Sequence, residues 1–305
     1  MKAFYLAFVL FASLFICSCT CQGAFDGERA YELLKKQTDI GNRSPGTPGA
    51  KKCAALIKSE MSGYCSRVYE ERFTARVEGK KLTLTNIVAV QNPGADKWVL
   101  LCSHWDNRPF SDQEKDGSLS GKYCPGANDG ASSCAVLMET ARQLAQTKPK
   151  VGVIYVFFDG EDYGHNEKGM YLGSTWFSRH TDRHFVYNGR KKEVLYGILL
   201  DMIGDEDLCI YRESMSAIYA PQVLRTLWDN AKALGYGKYF ADREKYVIHD
   251  DHIPLNEIAK IPVADVIDFD YPWWHTTGDT ADKCSPESLK IVGDVIVKTL
   301  LEQKP

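Results

Sequence analysis

Apolar and polar positions alternate in blocks from about residue 26 onward. Val151 to Phe158 is a β-branched and aromatic run with polar groups only after it, which predicts a strand buried on both faces. Leu195 to Leu200 repeats that design, and Leu82 to Val90, Trp98 to Cys102 and Ile261 to Ile267 predict further strands. Ala131 to Gln146 carries the helical period instead, with Val136, Leu137, Thr140, Ala141 and Leu144 on one side. Phe25 to Thr38, Pro221 to Leu234 and Pro286 to Leu301 read as helices. The turn-rich Asn42 to Gly49 opens one more, through Met61. Trp176 and Trp228 stand among apolar neighbours at helical spacing and read as core. Helices alternate with strands, and there is no repeat, low-complexity linker or charge block. The pattern predicts one α/β domain over residues 22–305, with a central, mostly parallel twisted sheet covered by helices on both faces.

The N-terminus departs from this pattern. Met1-Lys2 is followed by an uninterrupted apolar run from Ala3 to Ile16, the length of a signal-peptide core and too short to span a bilayer comfortably. Residues 1–21 therefore read as a leader. Ile16-Cys17-Ser18-Cys19 resembles a bacterial lipobox, which would make Cys19 a lipid anchor and the only link to a membrane. Ordinary secretion with cleavage near Cys21-Gln22 is the other reading. Either way the chain is expected to be exported, to the periplasm or beyond.

Hydrophobic content of 44% and charged content of 25% are globular values, so a sizeable core is available. A net charge of −3 without a basic stripe argues against nucleic acid as a partner. Export would place the seven cysteines after residue 21 in an oxidising compartment. Seven is odd, so at least one stays unpaired within the chain, and no CxxC pair occurs, so buried free thiols or one or two staples are expected rather than a cysteine zinc site.

The candidate chemistry lies where strands end. In open α/β sheets, sites gather beyond the carboxyl ends of the strands. Those ends read His104-Trp105-Asp106, Asp159-Gly160-Glu161-Asp162, Asp201-Met202-Ile203-Gly204 and the Trp274-His275 segment, with Asp129 just before a helix. Asp250-Asp251-His252-Ile253-Pro254 precedes the last strand. Turn chemistry explains one such ending, but not four delivering carboxylates and imidazoles to the same rim. No GxSxG elbow supports a serine nucleophile. His165, His180, His184 and His249 occupy polar segments and read as surface histidines.

Taken in order, His-x-Asp, Gly-Ala-Asn-Asp-Gly-Ala, Phe-Phe-Asp-Gly-Glu-Asp, Leu-Asp-Met-Ile-Gly, Asp-Asp-His-Ile-Pro and Trp-His-Thr resemble the zinc aminopeptidase-like superfamily. Within it the chain is most similar to glutaminyl cyclases (glutaminyl-peptide cyclotransferases), bacterial members in particular, over roughly residues 26–303. The resemblance implies one zinc held by Asp129, Asp162 and His275, with Glu161 as general acid and base. It further implies that Asp201 and Asp250 form an acidic pair near the reacting amine and that Trp274 stacks on the substrate side chain. The implied substrates are peptides and proteins with an N-terminal glutamine, converted to pyroglutamate with release of ammonia.

The chain departs from the animal enzymes in several places. Asp162 stands where they use Glu, and Asp265 where they have a histidine. A tryptophan wall after the acidic pair is missing, so Trp105 or Tyr163 is expected to supply it. Cys102 and Cys134 lie near a disulfide of the animal enzymes, but Cys102 is displaced by one residue, which on a strand turns it to the opposite face, so a bridge and two free thiols both stay open. The main alternative is a two-zinc aminopeptidase of the same fold, with His104 and Asp201 as second-metal ligands and Asp129 bridging. A metal-free binding lipoprotein on the same scaffold would be expected to lose a ligand type, and none is lost.

Overall fold

β-Branched and aromatic side chains fit the extended, pleated chain, and here they build six strands of one sheet. In chain order these are β1 (Arg67–Val77), β2 (Lys80–Gln91), β3 (Lys97–His104), β4 (Gly152–Phe158), β5 (Glu193–Asp201) and β6 (Val263–Ile267). The computed structural model describes residues 25–305, so the leader and its Cys19 lie outside the described residues. The spatial order is β1-β2-β4-β3-β5-β6. β4, β3, β5 and β6 are mutually parallel. β1 and β2 form a hairpin joined antiparallel to β4. The mostly parallel sheet expected from the sequence thus carries an antiparallel hairpin at one edge. β1 has no clear hydrophobic alternation, because Arg67, Glu70, Glu71, Arg72 and Arg76 interrupt it. Charged side chains on an edge strand guard against pairing with another chain.

The side-chain period of two divides each central strand between two cores. Val153, Tyr155 and Phe157 of β4 face one way, and Ile154, Val156 and Phe158 the other. The first face is covered by α1 (Gly27–Thr38), α2 (Pro48–Ser62), α3 (Ser133–Thr147), α5 (Pro221–Ala233) and α7 (Pro286–Glu302), through residues such as Leu33, Ile57, Leu137, Leu227 and Ile296. The second is covered by α4 (Leu172–Arg179) and α6 (His252–Glu257) through Phe177 and Leu255. Local signals set the helix starts. Thr47 caps α2 by accepting from the Ala50 N–H, Ser285 caps α7 by accepting from Ser288 N–H, and each is followed by proline.

The same alternation decides the cysteine question. Cys102 belongs to the α4 and α6 face and Cys134 to the opposite core, so the sheet separates them. All seven cysteines among the described residues are free thiols. His184 corrects the surface reading given to it: it is buried, stacked on Phe177 at 4.3 Å, with Nε2 3.1 Å from Glu71 Oε1. His165 and His249 are exposed, and His180 is half-buried against Trp176. Trp228 is in the core as expected, whereas Trp176 is only partly buried, against Phe73.

Candidate active site and metal centre

Parallel strands end on one edge, and there the sheet delivers its acids. His104 ends β3, Glu161 and Asp162 follow β4, Asp201 ends β5, and His275 lies in the loop after β6. Asp129 comes from the irregular turn Ala127–Ser132 that leads into α3. Two glycines make this crowding possible. Gly160 has φ +75°, and a Cβ there would meet Leu84 Cδ2 at 2.3 Å, so only glycine turns the chain between Asp159 and Glu161. A Cβ on Gly130 would stand 2.5 Å from His104 Nε2 and 2.6 Å from its carbonyl oxygen. Gly130→Ala is therefore expected to push His104 off its carboxylate partners and to cost about 1–3 kcal/mol, read as a lower melting temperature.

The three residues expected to hold a metal come together. His275 Nε2 is 3.1 Å from Asp162 Oδ1 and 3.6 Å from Asp129 Oδ2, and one donor atom from each residue lies within 4.8 Å of the others. A second triad shares Asp129: His104 Nε2 is 3.0 Å from Asp129 Oδ1 and 3.2 Å from Asp201 Oδ1. Glu161, Asp201, Asp250 and Trp274 line the same pocket of about 280 Å³. Trp274 stacks on the His275 ring at 3.9 Å and tilts against Phe269.

Trp105 and Tyr163 do not form the missing wall. Trp105 follows His104 directly, so when the imidazole faces the site the indole turns away; it is buried and donates to the Thr85 carbonyl. Tyr163 packs with Phe73 and Leu84 of the hairpin and does not line the pocket. Tyr171, Ile248 and Phe269 line the pocket in their place. Tyr171 also ties the two rims together, since its hydroxyl donates to the His249 carbonyl and its N–H to the Glu161 carbonyl.

Asp106 stands in the His-x-Asp motif, but its contacts and those of Asp279, Arg108 and Asp112 escaped sequence reasoning. Asp106 accepts the Glu161 and Asp162 N–H groups at 3.2 and 3.3 Å. Asp279 accepts the Asn128 and Asp129 N–H groups and the Tyr271 hydroxyl. Arg108 donates to Asp162 Oδ1 at 2.7 Å, and Asp112 Oδ1 lies 3.1 Å from His275 Nδ1. The one available signal was the His-x-Asp spacing of His104 and Asp106. Behind Asp250, the fully buried His252 sits 3.4 Å from Glu213 Oε2 and 3.9 Å from Asp265 Oδ2. Asp265 thus faces an imidazole from the Asp-Asp-His-Ile-Pro segment.

So many acids in a buried space call for positive charge. Burial opposes a charge on His275, yet Asp162, Asp112 and Asp129 outweigh it and raise the imidazole to about 9. His104 is likewise raised well above its ordinary range despite burial, through Asp106, Asp129 and Asp201. Burial, then the Asp162 charge, pushes Glu161 far above the usual carboxylate range. Burial and the neighbouring Asp201 raise Asp250 to about 7. The donors fit a divalent cation. Two carboxylates and one imidazole with an open side suit a catalytic zinc, and Asp162 Oδ2 is buried with no hydrogen-bond partner.

Comparison with known proteins agrees with this geometry. A glutaminyl cyclase from Bacteroides thetaiotaomicron, solved with bound N-acetylhistamine, is 33% identical and superposes with a TM-score of 0.87, covering 92% of this chain and 99% of that one. A Zn-dependent exopeptidase from Parabacteroides distasonis is 32% identical, also with a TM-score of 0.87 and the same coverage. The glutaminyl-peptide cyclotransferase of Bothrops jararaca is 24% identical over 293 residues, covering 85% of this chain and 77% of that protein. The family model described as Peptidase family M28 matches residues 86–300. A chain matched over most of its length by that family, and carrying its buried acids and imidazoles on one sheet edge, belongs to peptidase family M28, within the group that contains the bacterial glutaminyl cyclases.

Proposed function

We propose that the protein is a zinc-dependent glutaminyl-peptide cyclotransferase that turns the N-terminal glutamine of peptides into pyroglutamate and releases ammonia. The observation that carries this reading is Glu161, a buried carboxyl beside the Asp129–Asp162–His275 triad but not needed by it. Burial, then the Asp162 charge, raises its proton affinity, and a carboxyl placed at the pocket is the kind of group that takes and returns a proton.

An N-terminal glutamine holds its nucleophile, the α-amine, and its electrophile, the γ-amide carbon, on one residue. The pocket need only fold that residue so that the two approach. Asp201 and Asp250 line the pocket where they can hold the amine. Trp274 and Phe269 give an apolar wall for the methylene chain and exclude water. Zinc, when held by Asp129, Asp162 and His275, supplies Lewis-acid polarisation of the γ-carbonyl. Glu161 accepts the proton lost by the amine nitrogen as its bond to the γ-carbon forms. It then delivers that proton to the amide nitrogen, which leaves as ammonia.

Because Trp274 faces the pocket and Trp105 does not, the two should part in kinetics. Trp274→Ala is expected to raise KM about tenfold, the scale of one lost aromatic contact. Trp105→Phe should leave KM unchanged. Steady-state rates on a glutaminyl dipeptide check both.

The second reading, a two-zinc aminopeptidase, is favoured by one observation: the His104–Asp129–Asp201 triad shares Asp129 with the first. Metal analysis together with ammonia release from a glutaminyl dipeptide separates the two. Ammonia with a single zinc per chain is expected; a free amino acid with a zinc pair would replace the cyclase by the exopeptidase. We also propose export by the N-terminal leader, supported by the apolar run from Ala3 to Ile16. Mass analysis of the mature N-terminus would tell lipidation at Cys19 from plain cleavage.

A further inference from the structure

The chain between β3 and α3 does more than carry Asp129. Its first part folds back over the site and joins two segments that are distant in sequence. Arg108, buried against Phe110, donates through Nη1 to Asp162 Oδ1 at 2.7 Å and to the Asp162 carbonyl at 3.1 Å. The same guanidinium grips Asp112 in two-pronged fashion, Nε to Oδ1 at 2.9 Å and Nη2 to Oδ2 at 2.5 Å. Asp112 Oδ1 in turn meets His275 Nδ1 at 3.1 Å. The next two residues fasten the backbone around that histidine. Gln113 N–H donates to the His275 carbonyl at 3.2 Å, and Glu114 Oε2 accepts both the N–H and the hydroxyl of Thr277 at 2.8 Å.

The contacts close a ring that runs Asp162, Arg108, Asp112, His275 and back to Asp162, where His275 Nε2 and Asp162 Oδ1 are 3.1 Å apart. We propose that Asp112 is the positioning residue for His275: by engaging Nδ1 it turns the Nε2 lone pair toward Asp129 and Asp162 and holds the ring ready for the metal. This rests on the zinc triad proposed above. An imidazole has two nitrogens, and the hydrogen bond made by one decides which tautomer the other presents. A carboxylate behind a ligating histidine also raises the basicity of the ligating nitrogen. His275 has particular need of support, since its φ of +55° is one that residues with a β-carbon rarely adopt. The clasp at His275 and Thr277 holds the backbone there, and Arg108 keeps Asp112 from swinging into solvent, to which it is partly open.

The test measures zinc affinity of the full chain by competition with a chelator, with the melting temperature of the zinc-free protein alongside. Asp112→Asn, which keeps the shape and removes the charge, should weaken zinc about 10-fold, and Asp112→Ala toward about 100-fold, the range expected when a ligand's supporting partner is lost. Asp112→Glu should recover part of that loss. Asp116→Asn, at the exposed tip of the same loop, should bind zinc as the parent does. The zinc-free melting temperature of Asp112→Asn should fall only slightly, because the Arg108 ion pair weakens while the Gln113 and Glu114 clasp stays in place. Parental affinity in both Asp112→Asn and Asp112→Ala overturns the proposal. So does an Asp112→Asn protein that is no longer folded without zinc at the temperature of the assay, because Asp112 would then be serving loop folding. Failure of the triad itself looks different: the parent would bind no zinc, or His275→Ala would bind it as tightly.

Discussion

Glu161→Gln is expected to abolish turnover while leaving zinc in place, with kcat falling by about 10²–10⁴-fold. The substitution keeps the length and shape of the side chain and removes only the ability to accept a proton. The backbone on either side is held independently: Asp106 accepts the Glu161 N–H, and the Glu161 carbonyl accepts from Tyr171 N–H. Position 161 should therefore stay where it is. The proposed metal donors are Asp129, Asp162 and His275, so metal content should match the parent. A neutral amide at position 161 also carries no charge to repel the buried Asp162. Ammonia release in single turnover and zinc by elemental analysis make the check, and near-parental turnover would sink the role given to Glu161.

His275→Ala should fail in the opposite way. It removes the only imidazole of the Asp129–Asp162–His275 triad, and two carboxylates alone form a poor zinc site. The loss of affinity should exceed the ~100-fold that losing a supporting residue costs, and activity should vanish in step with metal content. It also removes the cation that partly compensates Asp112, Asp129 and Asp162 in the zinc-free protein, and leaves the Trp274 ring without its stacking partner. Excess zinc should restore little activity. Equilibrium dialysis of the two variants side by side gives the contrast: Glu161→Gln retains metal without turnover, His275→Ala loses both.

Elements with a strong local period were legible from the residues alone. Val151 to Phe158 was expected as a doubly buried strand, and β4 spans Gly152–Phe158 with every residue buried. The Pro-initiated helices α5 and α7 begin where expected. β1 was missed, because an edge strand with five charged residues lacks the alternation that marks a strand. The acids at strand ends were legible for a different reason: parallel strands finish on the same side, so several unrelated endings can be assigned to one rim before any contact is known.

Adjacency in sequence misled for Trp105 and Tyr163. Trp105 follows His104 at a strand end, where the neighbour of an inward side chain points outward, and Tyr163 leaves the bend after Asp162 to pack with Phe73 and Leu84. Arg108 and Asp112 were illegible because the loop that bears them has no period, and Asp112 meets a partner 163 positions away.

The residues by themselves determined the layering of helices on a parallel sheet, the family to which the motifs point, and which acids and imidazoles reach the catalytic edge. These follow from periodicity and strand polarity, which act over a few residues. Only the tertiary structure decided which donors share a common centre, which aromatic rings wall the pocket, and how an irregular loop braces His275 from behind. Those outcomes depend on side-chain direction and on contacts between distant segments, and no local pattern encodes either.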